Sequence, residues 1–341
     1  MIKYDKEKFK YNAFIYLIQG GNVDRNLALE FVRATEAAAL SSGKWMGRGD
    51  EKKADKAAVE AMRRMFSSIS IKGTVVIGEG ERDKAPMLYI GEKLGSGTGL
   101  EVDIAVDPLE GTTITAKGTN NAITVLAAAP KGHLFHAPDL YMDKIAVSKE
   151  ASGVIDLDAS VKDNINAVAD KLDKKPEDVT VIILERDRNK KLIDEVRKCN
   201  SRIRLIGDGD IAGGIAPSIP DSGIDILMGI GAAPEGVITA AALKTLGGEI
   251  QGRLKPRNKE EIKRAKKMGV KDIDKKLLMD DLVKGNRAMF AATGVTDGTI
   301  LKGVRYISDG AITHSIVMRA KTKTVRFIEA HHNLKHKPLK F

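Results

Sequence analysis

The chain of 341 residues contains one cysteine, Cys199, and this shortage limits the kinds of fold and site that it can have. A single cysteine cannot pair within the chain, so an internal disulfide framework and a thiolate metal cluster are both excluded. A reducing, cytoplasmic setting is consistent with this usage. We therefore expect any metal to be bound through oxygen.

Aromatic side chains are also scarce, at 4 % of residues, whereas glycine occurs 33 times. This composition favours alternating strands and helices joined by glycine turns over an all-β sandwich. Apolar runs long enough to cross a membrane are lacking too. The run 12–18 superficially resembles a signal peptide, but it is too short and lacks a small-residue cleavage site. Residues 1–23 are therefore predicted to be an extension outside the fold.

The formal net charge of +10 raises the question of a nucleic acid or another polyanion as partner. The lysines are spread along the chain, with local runs at 255–267 and 335–340, and no aromatic residues alternate with them as a stacking platform requires. We expect a solvated basic surface, no nucleic-acid partner, and a small phosphorylated substrate as the favoured anion.

An apolar run that ends in acids lies near the middle of the first half. Val102, Ile104 and Val106 alternate as in a buried strand, and Asp107 follows at the point where Pro108 is predicted to stop pairing. Across the turn, Glu110 can converge with Asp107, and Thr112 can hold a water molecule beside a divalent cation. The alternative is that Asp, Pro and Gly here only shape a turn.

Three more acids have a comparable setting. Glu79 follows the predicted strand 74–77, so acids from two strand ends are expected to meet at one site. Asp55 lies three residues before Ala58 and extends the inward stripe of a helix predicted over 54–68. Glu235 lies at the start of a helix predicted over 237–246. For Asp55 and Glu235, the alternative is a favourable interaction with the helix dipole alone.

The hydrophobic periodicity predicts a mixed α/β chain whose second part, from about residue 151, alternates as a parallel crossover sheet does. The tail histidines His331, His332 and His336 are expected to be solvated. Further helices are predicted at 24–40, 161–172 and 190–200, with partly helical segments at 87–94 and 255–284. Further strands are predicted at 121–129, 145–147, 179–184, 203–206, 224–228, 313–318 and 324–329.

The block from Asp107 to Thr112, preceded by Gly78-Glu79-Gly80-Glu81 and by Asp55, resembles the metal-site signature of the lithium-sensitive sugar and inositol phosphatases. The chain is most similar to the class II fructose-1,6-bisphosphatases of bacterial type. Matching stretches occur in family order at 44–50, 77–81, 85–93, 137–142, 207–210 and 229–236. The resemblance implies a layered α/β (α+β) sugar-phosphatase fold with two sheets. We expect a metal-binding catalytic domain at 24–150 and a sugar-phosphate-binding domain at 151–341.

The resemblance also implies roles for individual residues. Thr112 and Asp55 would be catalytic, with Thr112 assisting the attacking water. The implied ligands of Mn²⁺ or Mg²⁺ are Asp55, Glu79, Asp107, Glu110 and Glu235. The implied substrate contacts are Glu110, Gly111, Thr112, Tyr141, Arg186, Asp187, Arg188, Asp208, Gly209, Asp210 and Ala232. The sequence departs from the family pattern at Glu51 and Arg186, where lysine is common, at Asp187 in place of proline, and at Ala232 in place of glycine.

These observations predict a metal-dependent phosphatase that converts fructose 1,6-bisphosphate to fructose 6-phosphate in gluconeogenesis, working as a homodimer or homotetramer. Activity on sedoheptulose 1,7-bisphosphate or on an inositol phosphate is the alternative within the same class. A non-catalytic polyanion binder is the alternative from another class, and it predicts nucleic-acid affinity that falls steeply with salt.

Overall fold

The computed structural model describes residues 26–80 and 86–336. The predicted extension at 1–23, the helix start at Asp24 and the motif residues 81–85 lie outside the described residues. In the described ranges, no helix is both long enough and apolar enough to cross a membrane.

Two helices form the outer layer on one side of the molecule. Helix α1 covers residues 26–42 and α2 covers Glu51–Phe66. Helix α2 begins one turn earlier than the apolar pattern predicts, because the side chain of Asp50 accepts a 3.0 Å hydrogen bond from the amide of Lys53 and caps the first turn. Phe31 of α1 and Met62 of α2 are fully buried against the first sheet.

The first sheet has eight strands in the order β11-β12-β10-β4-β3-β1-β2, with β13 on the free side of β12. Strands β1 and β3 are parallel neighbours, so their carboxyl ends lie at the same edge. The strands are β1 Ile71–Ile77, β2 Lys93–Leu94, β3 Leu100–Glu110, β4 Ile123–Pro130, β10 Met289–Gly294, β11 Arg305–Ile307, β12 Gly310–Arg319 and β13 Thr324–Asn333.

The prediction that Pro108 ends the strand was wrong, because β3 continues to Glu110. The pairing with β4 is interrupted instead: Asp107 pairs with Val125 and Glu110 with Ile123, so the register shifts between the two acids. Proline has no amide proton to donate and is tolerated in sheets at such irregularities. This register shift changes the direction in which both carboxylates point, while both residues remain on a paired strand.

The second sheet has five strands in the order β7-β6-β8-β5-β9. The sequence predicted a parallel sheet, but this sheet is mixed. Strand β6 is parallel to β7 and β8, whereas β5 is antiparallel to β8 and β9. The strands are β5 Tyr141–Val147, β6 Thr180–Leu184, β7 Arg202–Ile206, β8 Ile226–Ala232 and β9 Glu249–Lys255.

Helices α6 (Asp210–Ile215) and α7 (Ala233–Leu246) lie between the two sheets. Helices α4 (Val161–Lys171) and α5 (Lys190–Lys198) cover the outer face of the second sheet. The molecule is thus a stack of helix, sheet, helix, sheet and helix layers. The predicted layered α/β fold with two sheets is confirmed.

Several local predictions need correction. Residues 87–94 are not helical but form bends and the short strand β2. Of the region 255–284, only α8 (Lys259–Lys267) and α9 (Met279–Leu282) are α-helical. Strands β9, β10 and β11 were not predicted. Helix α3 (Thr112–Lys117) was also missed.

The predicted boundary at residue 150 does not coincide with the change of sheet. Strand β5 precedes that residue and belongs to the second sheet, whereas β10 to β13 follow it and belong to the first. The division of the chain into two separate domains stays a prediction.

Candidate active site between the two sheets

Two acids stand at the end of β3 and a third follows its neighbour β1. Asp107 and Glu110 lie on β3, and Glu79 comes two residues after β1 ends. The amide of Glu79 donates a 2.9 Å hydrogen bond to the carbonyl of Leu88, which fixes the chain where it leaves the sheet. Because β1 and β3 are parallel neighbours, these predicted ligands lie at one edge.

Asp55 joins this group from α2. Burial raises the pKa of Asp55. Burial and the neighbouring Asp55 carboxylate raise the pKa of Glu79 to about 7. Burial, followed by the charges of Glu79 and Asp55, raises the pKa of Asp107 well above its usual range. The three carboxylates therefore repel one another when they are ionised.

Glu110 is the most deeply buried of the five predicted ligands, with 2 % of its surface exposed. Its Oε1 accepts a 2.6 Å hydrogen bond from the amide of Ile211, in α6. Its Oε2 is buried and has no hydrogen-bond partner among the residues that the structure describes. Burial and the nearby Asp107 carboxylate raise the pKa of Glu110 well above its usual range. An unpartnered buried carboxylate oxygen is costly unless a cation or proton meets it.

The second part of the chain contributes Asp210 and Glu235. Asp210 is the first residue of α6, and Glu235 lies in the first turn of α7, where its Oε2 accepts a 3.2 Å hydrogen bond from the amide of Ala232. Burial, the charge of Asp210 and a hydrogen bond to it raise the pKa of Glu235 well above its usual range, and Glu110 adds to this effect. Glu235 thus lies within electrostatic reach of Glu110.

Asp208 lies just before α6 and also faces the charged cluster. Burial raises its pKa, whereas the nearby guanidinium of Arg186 acts in the opposite direction. Glu51, at the first position of α2, adds a further unfavourable charge to Asp208. Where lysine is common in the family pattern, this chain therefore presents an acid toward Asp208.

The predicted substrate contacts Tyr141 and Ala232 are directly opposite each other in neighbouring strands β5 and β8. The guanidinium carbon of Arg188 lies 4.4 Å from the centroid of the Tyr141 ring. The Nε of Arg188 donates a 2.9 Å hydrogen bond to the carbonyl of Ile230. Arg188 is thus held beside Tyr141, whereas Arg186 lies within electrostatic reach of Asp208.

Gly111 and Thr112 lie at the start of α3. Gly111 has φ +95°, and a Cβ on it would lie 2.6 Å from the Cδ1 of Ile114, so this position requires glycine. Thr112 is the first helical residue and is half-buried. The left-handed turn at Gly111 sets the direction in which α3 leaves the end of β3.

The donor set fits a hard divalent cation. In the described ranges, no three acidic, histidine or cysteine side chains already form a metal-binding cluster. However, the carboxylates repel one another and Glu110 Oε2 lacks a partner. Oxygen donors of this kind suit Mg²⁺ or Mn²⁺.

Comparison with known proteins identifies the family. A family model described as bacterial fructose-1,6-bisphosphatase, glpX-encoded, matches residues 25–332. The chain belongs to this family. It is 45 % identical over 325 residues to a fructose-1,6-bisphosphatase class 2 from Haemophilus influenzae, covering 92 % of this chain and 97 % of that protein. It is 43 % identical over 334 residues to a D-fructose 1,6-bisphosphatase class 2/sedoheptulose 1,7-bisphosphatase from Synechococcus sp. (strain JA-3-3Ab), covering 91 % and 96 % respectively.

Within this member of the bacterial fructose-1,6-bisphosphatase family, sequence reasoning missed two basic residues near the site. Arg257 has its guanidinium carbon 5.1 Å from the centroid of the Tyr141 ring, and its Nε donates a 2.8 Å hydrogen bond to Glu261. Lys144 is buried beside Asp210. A lysine within the apolar alternation of β5 was a usable signal for Lys144. No local pattern indicated Arg257, because its approach to Tyr141 depends on where β9 lies beside β5.

Proposed function

We propose that this protein hydrolyses the C1 phosphate of fructose 1,6-bisphosphate, giving fructose 6-phosphate and inorganic phosphate. The observation that carries the proposal is the family match from residue 25 to 332. The names of the relatives from Haemophilus influenzae and Synechococcus support the substrate. The convergence of acids from the first sheet and from helices α2 and α7 supports the chemistry.

The proposed metal ligands are the five predicted acids, Asp55, Glu79, Asp107, Glu110 and Glu235, and the proposed metal is Mn²⁺ or Mg²⁺. A bound divalent cation polarises phosphoryl oxygens and lowers the pKa of a bound water. The raised pKa values of Glu79, Asp107, Glu110 and Glu235 support this assignment, since each reflects carboxylates placed close together in a buried site.

The remaining residues of the site have roles in orientation. Thr112 and Asp55 hold and orient the attacking water, and the left-handed turn at Gly111 supports this placement of Thr112. Glu110, Gly111 and Thr112 border the reacting phosphate. Asp208, Gly209 and Asp210 border the sugar, because carboxylate oxygens can accept hydrogen bonds from sugar hydroxyls.

The second phosphate of the substrate needs a separate, positively charged binding site. We assign this site to Arg188 together with Arg186. Tyr141 and Ala232 border this site. Asp187 begins the short turn on which both arginines lie. The contact of Arg188 with the Tyr141 ring supports this placement, because it holds a planar guanidinium in a fixed orientation.

The experiment is phosphate release from fructose 1,6-bisphosphate with added Mn²⁺ or Mg²⁺ and with a chelator. We expect metal-dependent release that the chelator abolishes. No release from this substrate with either metal would contradict the proposal. A salt-sensitive affinity for DNA or RNA without phosphate release would favour the polyanion binder.

A second activity, on sedoheptulose 1,7-bisphosphate, is supported by the name of the Synechococcus relative. Both substrates carry a phosphate at each end of a sugar and differ in length by one carbon. The ratio of kcat/KM for the two substrates tests this activity, with an inositol monophosphate as a third arm. The predicted homodimer or homotetramer is tested by light scattering of the purified protein.

A further inference from the structure

Lys144 occupies a position in β5 where strand alternation calls for an apolar side chain. Met142 and Ala146, which share its face of the strand, are fully buried in the core between the sheets. The side chain of Lys144 is itself only 1 % exposed. Lysine is almost never buried to this extent unless its charge is paired, so its partners explain its presence.

Those partners connect Lys144 to the acids of the site. Its Nζ forms an ion pair with Oδ2 of Asp210 and donates a 3.0 Å hydrogen bond to the carbonyl of Ala232. The carboxyl group of Asp210 also lies beside that of Glu235. Glu235 in turn accepts from the amide of Ala232. The contacts therefore link Lys144 through Asp210 to Glu235. Ala232 contacts both Lys144 and Glu235 and closes the ring.

Two glycines leave the space that this arrangement needs. A Cβ at Gly231 would lie 1.9 Å from Oδ2 of Asp210 and 2.9 Å from Nζ of Lys144. A Cβ at Gly236 would lie 3.1 Å from Cδ of Lys144. The glycines at the end of β8 and the start of α7 thus leave room for the buried side chain of Lys144.

We propose that Lys144 is a positioning residue that holds Asp210 and the Ala232 peptide beside Glu235 and keeps Asp210 from becoming a metal ligand. The proposal rests on the proposed function, because it assumes a cation at the carboxylate cluster. An ionised Asp210 is a hard oxygen donor like its neighbours, and it would compete for the cation if its charge were not compensated. Lys144 thereby determines which carboxylates face the metal and fixes the orientation of Glu235.

The test measures Mn²⁺ binding by isothermal titration calorimetry and, separately, kcat on fructose 1,6-bisphosphate at saturating Mn²⁺. In Lys144→Met, one positive charge is removed and Asp210 is released, so Mn²⁺ should bind about tenfold more tightly. The kcat should fall on the order of 10²-fold, because the Ala232 peptide, whose amide holds Glu235, loses its contact with Lys144. A residue with a merely structural role would weaken Mn²⁺ binding and lower kcat together.

Asp210→Asn supplies the opposite charge change. It keeps the lysine but removes its counter-charge, so Mn²⁺ should bind more weakly than in the native protein. The double variant Lys144→Met/Asp210→Asn replaces an ion pair by a neutral pair, and its Mn²⁺ affinity should lie between those of the single variants. Lys174→Met is the matched control, since Lys174 pairs with the buried Asp225 at 2.5 Å and is remote from the acids. It should keep the native Mn²⁺ affinity and kcat.

Weaker Mn²⁺ binding by Lys144→Met, or a native kcat in that variant, would overturn the proposal. If circular dichroism shows that Lys144→Met does not fold, the double variant decides, and a native kcat there would also overturn it. If the native protein releases no phosphate from fructose 1,6-bisphosphate, the proposed function fails. The opposite shifts in Mn²⁺ affinity of the two single variants then still decide the role of Lys144.

Discussion

The main-chain amide of Ile211 donates a 2.6 Å hydrogen bond to Oε1 of Glu110, across 101 positions of sequence. This bond joins α6, between the sheets, to the end of β3 in the first sheet. One oxygen of the carboxylate is fixed by the second part of the chain, while Oε2 has no hydrogen-bond partner within residues 26–80 and 86–336. The orientation of this acid is therefore a property of the packed molecule.

The first prediction concerns Glu110. Glu110→Gln keeps an oxygen that can accept from Ile211 but removes the charge, so the fold should persist. The melting temperature of the metal-free protein should be equal to the native value or higher, because repulsion with Asp107 is relieved. Phosphate release should fall below detection. Glu101→Gln is the control: this acid lies on the same strand, is exposed and pairs with Lys131, so its loss should leave turnover unchanged. Native turnover in Glu110→Gln would remove the residue from the site.

The second prediction concerns pH and the metal-free protein. The pKa of Glu79 is raised from 4.5 to about 7, so its charged form opposes folding fully above pH 7. This destabilisation disappears as the pH falls toward 4.5, where the group is protonated in both states. Calorimetry in the presence of a chelator should show that the melting temperature rises by a few degrees when the pH is lowered from 8 to 5.

Glu79→Gln should reduce that slope without abolishing it, because burial also raises the pKa values of Asp107, Glu110 and Glu235. Hydrogen bonds from Arg253 and Lys276 lower the pKa of Asp158 to about 2, so the stabilisation from this exposed group is lost only below pH 4, outside the measured window. A melting temperature that falls from pH 8 to pH 5, or the same rise in Glu79→Gln, would contradict the assignment.

The third prediction concerns Thr112. A hydroxyl that orients the attacking water acts mainly in the transition state, so Thr112→Ala should lower kcat by roughly 10²–10⁴-fold with little change in KM. Thr112→Ser keeps the hydroxyl and should retain much of the activity. Steady-state kinetics on fructose 1,6-bisphosphate separates the two constants. A raised KM with native kcat would make Thr112 a substrate or packing contact.

The fourth prediction concerns Arg188. If Arg188 holds the distal phosphate beside Tyr141, Arg188→Ala should lower kcat/KM on fructose 1,6-bisphosphate by about 10²-fold. Fructose 1-phosphate lacks the distal group, so it should be a poor substrate that is nearly indifferent to the change. Both substrates are measured with both proteins. Equal losses on the two would mean that Arg188 acts on the reacting phosphate or on the fold.

The fifth prediction concerns Gly231. A methyl group there would meet Asp210 and Lys144 at less than van der Waals distance, so Gly231→Ala should destabilise the protein by about 1–3 kcal/mol. Gly207→Ala is the matched control, because a Cβ at Gly207 meets nothing within 4 Å. Denaturant unfolding compares the two. Equal stability of both variants would show that the space beside Lys144 is not restricted.

Much of the local structure could be predicted from the sequence. Alternation of apolar residues located the core of β3, a short β-branched run located β1, and two further runs predicted the pairing of β12 with β13. The sequence also placed Asp107 near the end of β3, but it placed Glu110 across a turn, whereas the strand continues to this residue. The start of α2 was placed one turn late, because the Asp50 cap adds a turn that the apolar stripe does not include.

Long-range pairing could not be predicted. Strand β10 lies between β4 and β12, although more than 150 residues separate it from β4 along the chain. Local patterns carry no information about which distant strand supplies the partner hydrogen bonds, so the return of the chain to the first sheet was missed. The approach of Arg257 to Tyr141 depends on the same kind of pairing, that of β9 with β5.

The sequence by itself determined the periodicity of many elements and the presence of acids near the ends of β1 and β3, because these depend on neighbouring residues. The tertiary structure alone decided that Ile211 meets Glu110, that Asp210 meets Glu235 and that Lys144 lies buried beside them. Those contacts join groups from different layers. Their distances follow from how the two sheets pack around α6 and α7, which no single segment of the chain specifies.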